Sequence, residues 1–466
     1  MRGCMSKKKI LLLSDDLRMS SGVGTMSKEF VLGTIDHYDW VQLGGAITHP
    51  ENGKRVDMKD AIKQETGKDG NLTIYPISGY GSQDLLRQII SVEKPDAILH
   101  YTDPRFWGWL YQMEHEIRQE IPIFYYNIWD DWPAPQYNEN YYECSDLIMN
   151  ISKQTVAIVR DVAKNKPRTN WDCTYLPHGV NKAFYPISKF DKEYQKVESV
   201  KNNLTDKDVE FILFYNNRNI RRKMTSDVIL AFKTFCDKLT PEQANKVCLL
   251  MHTQPIDDNG TNLPEVARII CPDYKVYFSD RKLETHELNY LFNLSDVTIN
   301  IASNEGFGLG TCESLMAGTP IIVNVTGGLQ DQCGFKLNDK LLTADDYTEI
   351  QSLHDWRKWE NNKDLTHGEW VKPVWPKTRA LQGSPATPYI FDDRADWFDV
   401  SERIYEWYQM SNDDREKCGA KGREFVMNEE IGMSGEQMSK NFIRDMDKAF
   451  EMWKPRKRYS ILRHRS

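Results

Sequence analysis

Residues 300–330 read NIASNEGFGLGTCESLMAGTPIIVNVTGGLQ, and this stretch decides the fold. A short apolar strand, 297–301, leads into a turn with glycines at 306, 308 and 310, and the pattern predicts a short helix over 309–317. Gly318 suits the left-handed position that ends such a helix. A second apolar strand, 321–325, follows Pro320 and runs to Gly327-Gly328. The stretch is therefore a strand–turn–helix–strand unit of an α/β protein.

The turn and its two acids suggest a ligand. Glycines at a strand-to-helix turn let the backbone approach a ligand closely, and the free N–H groups at the helix start suit a phosphate. Glu305 precedes the helix and Glu313 lies within it, and carboxylates accept hydrogen bonds from hydroxyls. Together these groups predict a nucleotide-sugar site. The alternative is a tight strand–helix crossover in an α/β core.

The same residues carry a family resemblance. E-G-F-G-L, a second Glu after seven intervening residues, A-G-T-P and G-G resemble the donor-site signature of the family-four retaining glycosyltransferases (glycosyl transferases group 1). The resemblance implies an α/β protein of GT-B fold: two Rossmann-like doubly wound domains that face a central cleft, with C-terminal helices crossing back to the first domain. It implies that Glu305 contacts the donor sugar and Glu313 the ribose. It also implies a donor-binding turn made of Gly306, Phe307, Gly308, Leu309 and Gly310.

Length, charge and cysteine content limit the possible number of domains and the possible partners. The chain has 466 residues, which suits two or three domains, and its formal charge of −8 argues against a nucleic-acid partner. Nine cysteines without a C-x-x-C pair suggest neither a zinc site nor disulfides and fit a cytoplasmic setting. We expect neither a signal peptide nor a membrane span, which needs roughly 20 apolar residues. GT-B enzymes generally need no metal, so the resemblance implies neither a metal nor a cofactor.

The first half alternates strands and helices, which predicts a parallel doubly wound sheet. A strand over 9–14 is followed by Gly22-Val23-Gly24 and a helix over 25–32. The G-x-G-x-x-S pattern is a weak match to a dinucleotide fingerprint, because no well-placed acid follows. The family uses this loop to approach the donor phosphates, which implies donor-binding roles for Gly22 and Gly24. The alternative is a turn that is merely tight. Residues 51–71 are predicted to be a polar surface excursion.

The acceptor side is predicted after the strands 97–100 and 123–126. Ligands of open α/β sheets bind at the carboxyl ends of strands. His100 ends the first of these strands, and N-I-W-D-D-W-P-A-P, 127–135, follows the second. Many family members carry a functional histidine just after this second strand, and this chain does not. Asp130 or Asp131 takes over an acceptor-side role, or His100 approaches from the neighbouring strand; a buried, structural His100 is the alternative.

A basic loop opens the second half. After the strand 209–215 comes NNRNIRRK, 216–223, where the family places an Arg and a Lys that hold the donor diphosphate. Arg218 and Lys223 match those positions, and charge-assisted hydrogen bonds to phosphate are strong ones. Arg221 and Arg222 add positive field. The segment 280–283, with Arg281, follows a later strand where the family commonly holds the nucleobase.

The predicted domains are an acceptor-side domain over 1–187, a linker over 188–208, a donor domain over 209–430 and a final segment over 431–466. The donor domain includes an irregular insertion, 329–395, packed on it near the cleft. The final segment is a helix that returns to the first domain and a basic tail. The tail could touch anionic lipid headgroups or a polyanionic acceptor, or be an ordinary solvated end.

The sequence thus predicts a metal-independent hexosyltransferase. It would move a sugar from a UDP- or GDP-sugar to a glycan, lipid or protein acceptor; the resemblance alone implies retention of the anomeric configuration. Glu305, Arg218, Lys223, Asp130 and His100 form the predicted catalytic set. Two alternatives stay open: a nucleotide-sugar epimerase or hydrolase of the same fold, and a non-catalytic GT-B binding module.

Overall fold

The computed structural model describes residues 7–350 and 357–456, with side chains described over 7–347 and 358–456. Its first half is built on an eight-stranded sheet of order β3-β4-β2-β1-β5-β6-β7-β8, parallel except for β3 against β4. The strands are β1 Lys8–Asp15, β2 Tyr38–Gly45, β3 Val56–Asp57, β4 Leu72–Pro76, β5 Ala97–Tyr101, β6 Ile123–Asn127, β7 Leu147–Asn150 and β8 Cys173–Tyr175.

Helices cover both faces of this sheet, which is why its strands are nearly continuous apolar runs. In β1, Ile10, Leu11, Leu12 and Leu13 are all 0% exposed. The helices are α1 Gly22–Gly33, α2 Lys59–Thr66, α3 Gln83–Glu93, α4 Gly108–Gln112, α5 Glu114–Ile117, α6 Glu139–Glu143 and α7 Lys153–Val162. Residues 51–71 lie mostly at the surface, as predicted, and form β3 and α2, whose Ile62 side chain is buried.

The second half is built on a six-stranded parallel sheet of order β11-β10-β9-β12-β13-β17. Its strands are β9 Phe211–Asn216, β10 Val247–His252, β11 Lys275–Ser279, β12 Val297–Asn300, β13 Ile321–Asn324 and β17 Val371–Val374. The helices up to this point are α8 Tyr194–Leu204, α9 Thr225–Cys236, α10 Pro241–Ala244, α11 Leu263–Ile270, α12 Thr285–Leu294, α13 Leu309–Met316, α14 Leu329–Gln332, α15 Ala344–Ile350 and α16 Arg357–Glu360. The predicted α/β class with two doubly wound sheets is confirmed.

The interpretation of residues 329–395 as one irregular insertion is wrong. Part of it, β17, is the last strand of the second sheet, in parallel register with β13. Another part is a long antiparallel hairpin, β18 Pro376–Ser384 and β19 Thr387–Ala395. A small three-stranded sheet precedes β17 in the chain and is made of β14 Lys336–Leu337, β15 Lys340–Leu341 and β16 Leu365–Thr366. Gly, Pro and Trp residues interrupt the apolar runs here, which hides the strand pattern.

The last helices are α17 Trp397–Gln409, α18 Asn412–Met427 and α19 Gly435–Met452. Helix α19 crosses back to the first sheet, as predicted. The ring of Phe442 stacks on Phe30 of α1 with 5.0 Å between centroids, and the Tyr38 hydroxyl donates to Asp447 at 2.7 Å. The basic tail beyond residue 456 lies outside the described residues.

A glycine pair fixes the loop that precedes α13. Gly327 has a φ of +50°, and a Cβ atom built there would lie 1.9 Å from the carbonyl oxygen of Glu305. A Cβ on Gly328 would lie 2.2 Å from the carbonyl oxygen of Gly306, and the Gly328 N–H donates to Glu305 O at 2.9 Å. The position of Glu305 therefore depends on two residues that have no side chain.

We predict that Gly327→Ala destabilises the protein more than Gly53→Ala. Both glycines have positive φ, so both variants carry the left-handed penalty of about 1 kcal/mol. A Cβ at Gly53 meets nothing within 4 Å, whereas one at Gly327 forces Glu305 to move, at a further cost of roughly 1–3 kcal/mol. Chemical denaturation of the two variants measures the difference, and equal losses of stability would contradict this packing account.

Candidate active site

A buried ion pair joins the carboxyl ends of two neighbouring strands. Lys223 follows β9 and Glu305 follows β12, and the two strands are adjacent in the second sheet. The Lys223 ammonium donates a hydrogen bond to Glu305 Oε2. Lys223 is 7% exposed and Glu305 is 8% exposed. The sequence placed both residues at the site, and the structure brings them together.

The charge of Glu305 is maintained by its neighbours. Burial alone would raise the pKa of its carboxyl, but the positive charges of Lys223 and Arg222 outweigh burial and lower it. Glu305 is therefore a carboxylate at neutral pH. A buried charge of this kind persists only while it is paired. A ligand that takes Lys223 as its partner must therefore offer Glu305 a hydrogen-bond donor in place of Lys223.

Arg222, not Arg218, is the arginine beside this pair. Arg222 Nη1 lies 3.7 Å from Glu305 Oε2 and 3.9 Å from Asp130 Oδ2. It also donates to the backbone oxygen of Asn304 at 2.7 Å. Arg218 is exposed and pairs with Asp257 at 3.0 Å, so the structure does not bring it to Lys223 and Glu305.

Local backbone geometry explains this exchange. Residues Arg221–Lys223 form a single 3-10 turn, and Met224 after it has a φ of +53°. Arg222 and Lys223, at the end of the basic loop, reach Glu305, whereas Arg218 nearer its start pairs with Asp257. In the sequence, the only signal that Arg222 lies beside Glu305 is its position next to Lys223 in the R-R-K run.

The glycine turn lies against both halves of the chain. Gly308, with a φ of +87°, precedes α13. A Cβ on Gly310 would lie 2.9 Å from Asn216 O, and one on Gly306 would lie 2.8 Å from Ile151 Cδ1 of the first half. The side chain of Phe307 is buried, with its ring 5.3 Å from that of His178. Leu309 begins α13, so the free N–H groups of the first helical turn follow directly after the glycine turn.

Gly22 and Gly24 have different surroundings. Both lie in the first turn of α1, which begins three residues earlier than predicted because Ser21 caps it by accepting from the Gly24 N–H at 3.0 Å. A Cβ on Gly22 would face Leu309 Cδ1 at 4.0 Å, across the cleft from the glycine turn. A Cβ on Gly24 would lie 2.5 Å from Met19 O, so Gly24 is needed for close packing of its own loop.

The two outer donor-site candidates are Glu313 and Arg281. Glu313 lies on α13 and is partly exposed. Desolvation, with a smaller contribution from Glu29 of α1, raises the pKa of Glu313 to about 7. Arg281 follows β11, is exposed, and pairs with Glu287 at 2.8 Å.

His100 does not reach the cleft, and its predicted catalytic role is corrected to that of a core residue. Its side chain is 0% exposed and stacks on Tyr125 at 5.2 Å. Its Nδ1 shares a hydrogen bond of 2.7 Å with the Tyr111 hydroxyl. Burial lowers the pKa of His100 to about 3, so the imidazole is neutral.

Asp130 and Asp131 do lie at the cleft. They line a cavity of about 950 Å³ between the two halves of the chain, together with Arg221 and Arg222. Asp130 is partly exposed beside Arg222, whereas Asp131 is 4% exposed. Sequence reasoning missed the other wall of this cavity, which is the hairpin β18–β19.

Within residues 7–350 and 357–456, no group of three or more His, Cys, Asp or Glu side chains is placed to hold a metal ion. Across that same part of the chain, none of the helices combines the length and apolar character needed to cross a bilayer.

The fold is similar to that of solved structures, although the sequence itself has no close match. No family model and no curated protein matches the sequence. Solved structures match over nearly the full length. The HepE protein of Anabaena, in complex with UDP and glucose, is 11% identical with a TM-score of 0.62, covering 94% of this chain and 99% of that one. The chain has the GT-B fold.

Two further GT-B structures agree. Sucrose-phosphate synthase of Thermosynechococcus elongatus is 15% identical with a TM-score of 0.64, covering 96% of this chain and 100% of that one. A glycosyltransferase of Rickettsia africae is 13% identical with a TM-score of 0.63, covering 96% of this chain and 100% of that one.

The raised pKa of Glu313 predicts a pH-dependent stability difference between the wild-type protein and the Glu313→Gln variant. Between pH 4.5, the ordinary value, and pH 7, the unfolded chain has released this proton and the folded chain still holds it. The wild type therefore loses roughly 2 kcal/mol relative to the variant as pH rises from 5 to 8. Urea denaturation of both proteins at the two pH values measures this. A difference that stays constant would contradict the assigned pKa.

Proposed function

We propose that the chain is a glycosyltransferase that moves a sugar from a UDP- or GDP-sugar to an acceptor, with retention and without a metal ion. The observation that carries the proposal is the buried Lys223–Glu305 pair beside Arg222 and the glycine turn. It combines cations for a diphosphate with a carboxylate for sugar hydroxyls, at the strand ends where α/β sheets bind ligands.

The same groups suggest how transfer is assisted. The diphosphate of the donor takes Lys223 and Arg222 as partners, and their charges stabilise the negative charge that develops as the diphosphate leaves. In this proposal the N–H groups at the start of α13 also face the diphosphate and add to this stabilisation. Released from Lys223, Glu305 accepts hydrogen bonds from hydroxyls of the transferred sugar.

The outer residues complete the donor site in this proposal. Glu313 accepts hydrogen bonds from the ribose hydroxyls. The nucleobase of the donor lies near the end of β11, beside Arg281. Gly22 faces the glycine turn across the cleft, so a side chain there would intrude on the donor. Closure of the two domains around the donor limits hydrolysis by excluding water.

The setting we propose is the cytoplasm. The cysteines within the described residues are free thiols, and most are buried. Free thiols of this kind are typical of a reducing compartment. Whether the basic tail contacts a membrane or a polyanionic acceptor stays a prediction.

We predict that Lys223→Ala and Arg222→Ala each lower nucleotide-sugar turnover by at least about 100-fold, because removal of one preorganised charge typically costs this much. Arg218→Ala is the matched control, since Arg218 is exposed and pairs with Asp257 instead of Glu305, and we expect a loss below about tenfold. Release of UDP or GDP from a panel of nucleotide-sugars, with thermal shift for donor affinity, provides the measurement.

Three other results would contradict the assignment of a transferase or of its site. Full activity in Lys223→Ala would overturn the site assignment. NMR of the donor incubated without acceptor identifies an epimerase by conversion of the donor alone. Binding of a nucleotide-sugar without turnover on any acceptor would instead indicate a binding module.

A further inference from the structure

The hairpin β18–β19 belongs to the second half of the chain but is anchored on the first. The Phe391 N–H donates to Trp132 O at 2.7 Å, and the Tyr137 hydroxyl donates to Tyr389 O at 2.8 Å. The Tyr389 hydroxyl donates to Ala134 O at 3.2 Å. The rings of Tyr137 and Tyr389 also meet edge to face, with centroids 4.9 Å apart. The hairpin therefore spans the cleft directly over the segment that contains Asp130 and Asp131.

The hairpin and that segment enclose the cavity of about 950 Å³. This volume is within the range of small-ligand sites. The wall combines arginine and aspartate side chains with two aromatic residues; among its members are Arg105, Arg394, Asp131, Asp392, Tyr125 and Trp129. Mixed donors and acceptors beside a flat aromatic surface suit a polyhydroxylated ligand. A lipid chain would need a continuous apolar wall instead.

Asp131 is the buried aspartate of the cavity wall, at 4% exposure, whereas the other aspartates of the wall are partly exposed. Burying a carboxyl costs free energy unless hydrogen-bond partners satisfy it, and a ligand in the cavity can supply such partners. Burial and the nearby charges of Asp130, Asp393 and Asp392 raise its pKa well above the ordinary value. A carboxyl that faces a ligand hydroxyl accepts its hydrogen bond.

Asp392 makes the hairpin part of the same site. Its Oδ1 accepts from the Ser303 hydroxyl at 3.1 Å, and Ser303 lies two residues before Glu305. Asp393 N–H donates to Ser303 O at 3.0 Å. Strand β19 thus contacts the first domain through Tyr389 and Phe391 and the donor-side loop through Asp392 and Asp393.

We propose that this cavity is the acceptor pocket, that it takes the hydroxyls of a carbohydrate, and that the hairpin is its specificity element. Asp131 binds an acceptor hydroxyl, Trp129 contacts the sugar ring, and the hairpin closes the pocket from the donor domain. This inference rests on the proposed function and selects a glycan from the three acceptor classes that the sequence left open.

The test uses the full chain and the donor that the nucleotide-sugar panel identifies. Acceptors are offered in three sets: methyl glycosides and short oligosaccharides of common hexoses, undecaprenyl phosphate in detergent, and a mixed peptide library. We expect labelled product on a carbohydrate. We also expect Asp131→Asn to lower acceptor-dependent transfer at least tenfold, while donor affinity and donor hydrolysis stay within twofold of wild type. Asp69→Asn, an exposed aspartate of the first half with an 80% exposed side chain, is the matched control and should transfer normally.

A second variant tests the hairpin. Tyr389→Ala removes the ring contact and the hydroxyl bonds to the first domain, so the acceptor KM should rise at least fivefold with the donor KM unchanged. Leu381→Ala on the same hairpin is the control, because Leu381 is 62% exposed and its side chain is not part of the cavity wall.

Each outcome decides something different. Product only on the lipid or peptide set, or normal transfer by Asp131→Asn, would overturn the acceptor assignment while the proposed function stands. Equal acceptor KM values for the two hairpin variants would overturn the role of the hairpin. Failure of every nucleotide-sugar to shift the melting temperature would overturn the proposed function and, with it, the acceptor pocket.

Discussion

The ion pair between Lys223 and Glu305 is the interaction on which the site depends. Two opposite charges are buried at the ends of adjacent strands, and each is stable there only because the other is present. The chain keeps the pair in place with Arg222 on one side and with the backbone of the glycine turn on the other. In a ligand with a diphosphate and hydroxyls, the diphosphate can replace Glu305 as the partner of Lys223 while the hydroxyls replace Lys223 as donors to Glu305. A simple anion can replace only Glu305.

Close backbone packing sets the geometry of this pair. Gly327 and Gly328 lie under the carbonyls of Glu305 and Gly306, and Gly306 itself lies against Ile151 of the first half. The glycines therefore serve two purposes: they bring the acidic loop down onto the second sheet, and they let the first domain approach it. The hairpin 376–395 adds a second connection between the two halves, on the acceptor side of the cleft.

Much of the fold could be predicted from the sequence, because the strands of both sheets are apolar runs punctuated by glycine and proline. The sequence did not predict β3, β8, β17, the small sheet β14–β16 or the hairpin. Each pairs with residues distant in the chain or alternates polar with apolar residues, so local pattern does not reveal it. Strand β17, for example, contains Lys372 and Pro373 and is fixed by its register with β13.

The site could be predicted only in part, for a similar reason. Lys223 and Glu305 meet because strand ends in one parallel sheet lie at the same edge, and Asp130, which follows a strand of the other sheet, approaches them from the first domain beside Arg222. The sequence could not show that a left-handed Met224 turns Arg222 inward and leaves Arg218 outside, since this depends on a single backbone dihedral. Nor could it show that Tyr111 and Tyr125 enclose His100, because burial of a strand-end histidine depends on helices packed above it.

The most direct test of the central claim is the affinity for UDP and GDP of the Glu305→Gln variant, measured by calorimetry beside the wild type. If Lys223 is exchanged between Glu305 and the diphosphate, removal of the carboxylate charge frees Lys223, and the variant should bind the nucleotide diphosphate several-fold more tightly while transfer is lost. Unchanged or weaker binding of both nucleotides by the variant would contradict the exchange.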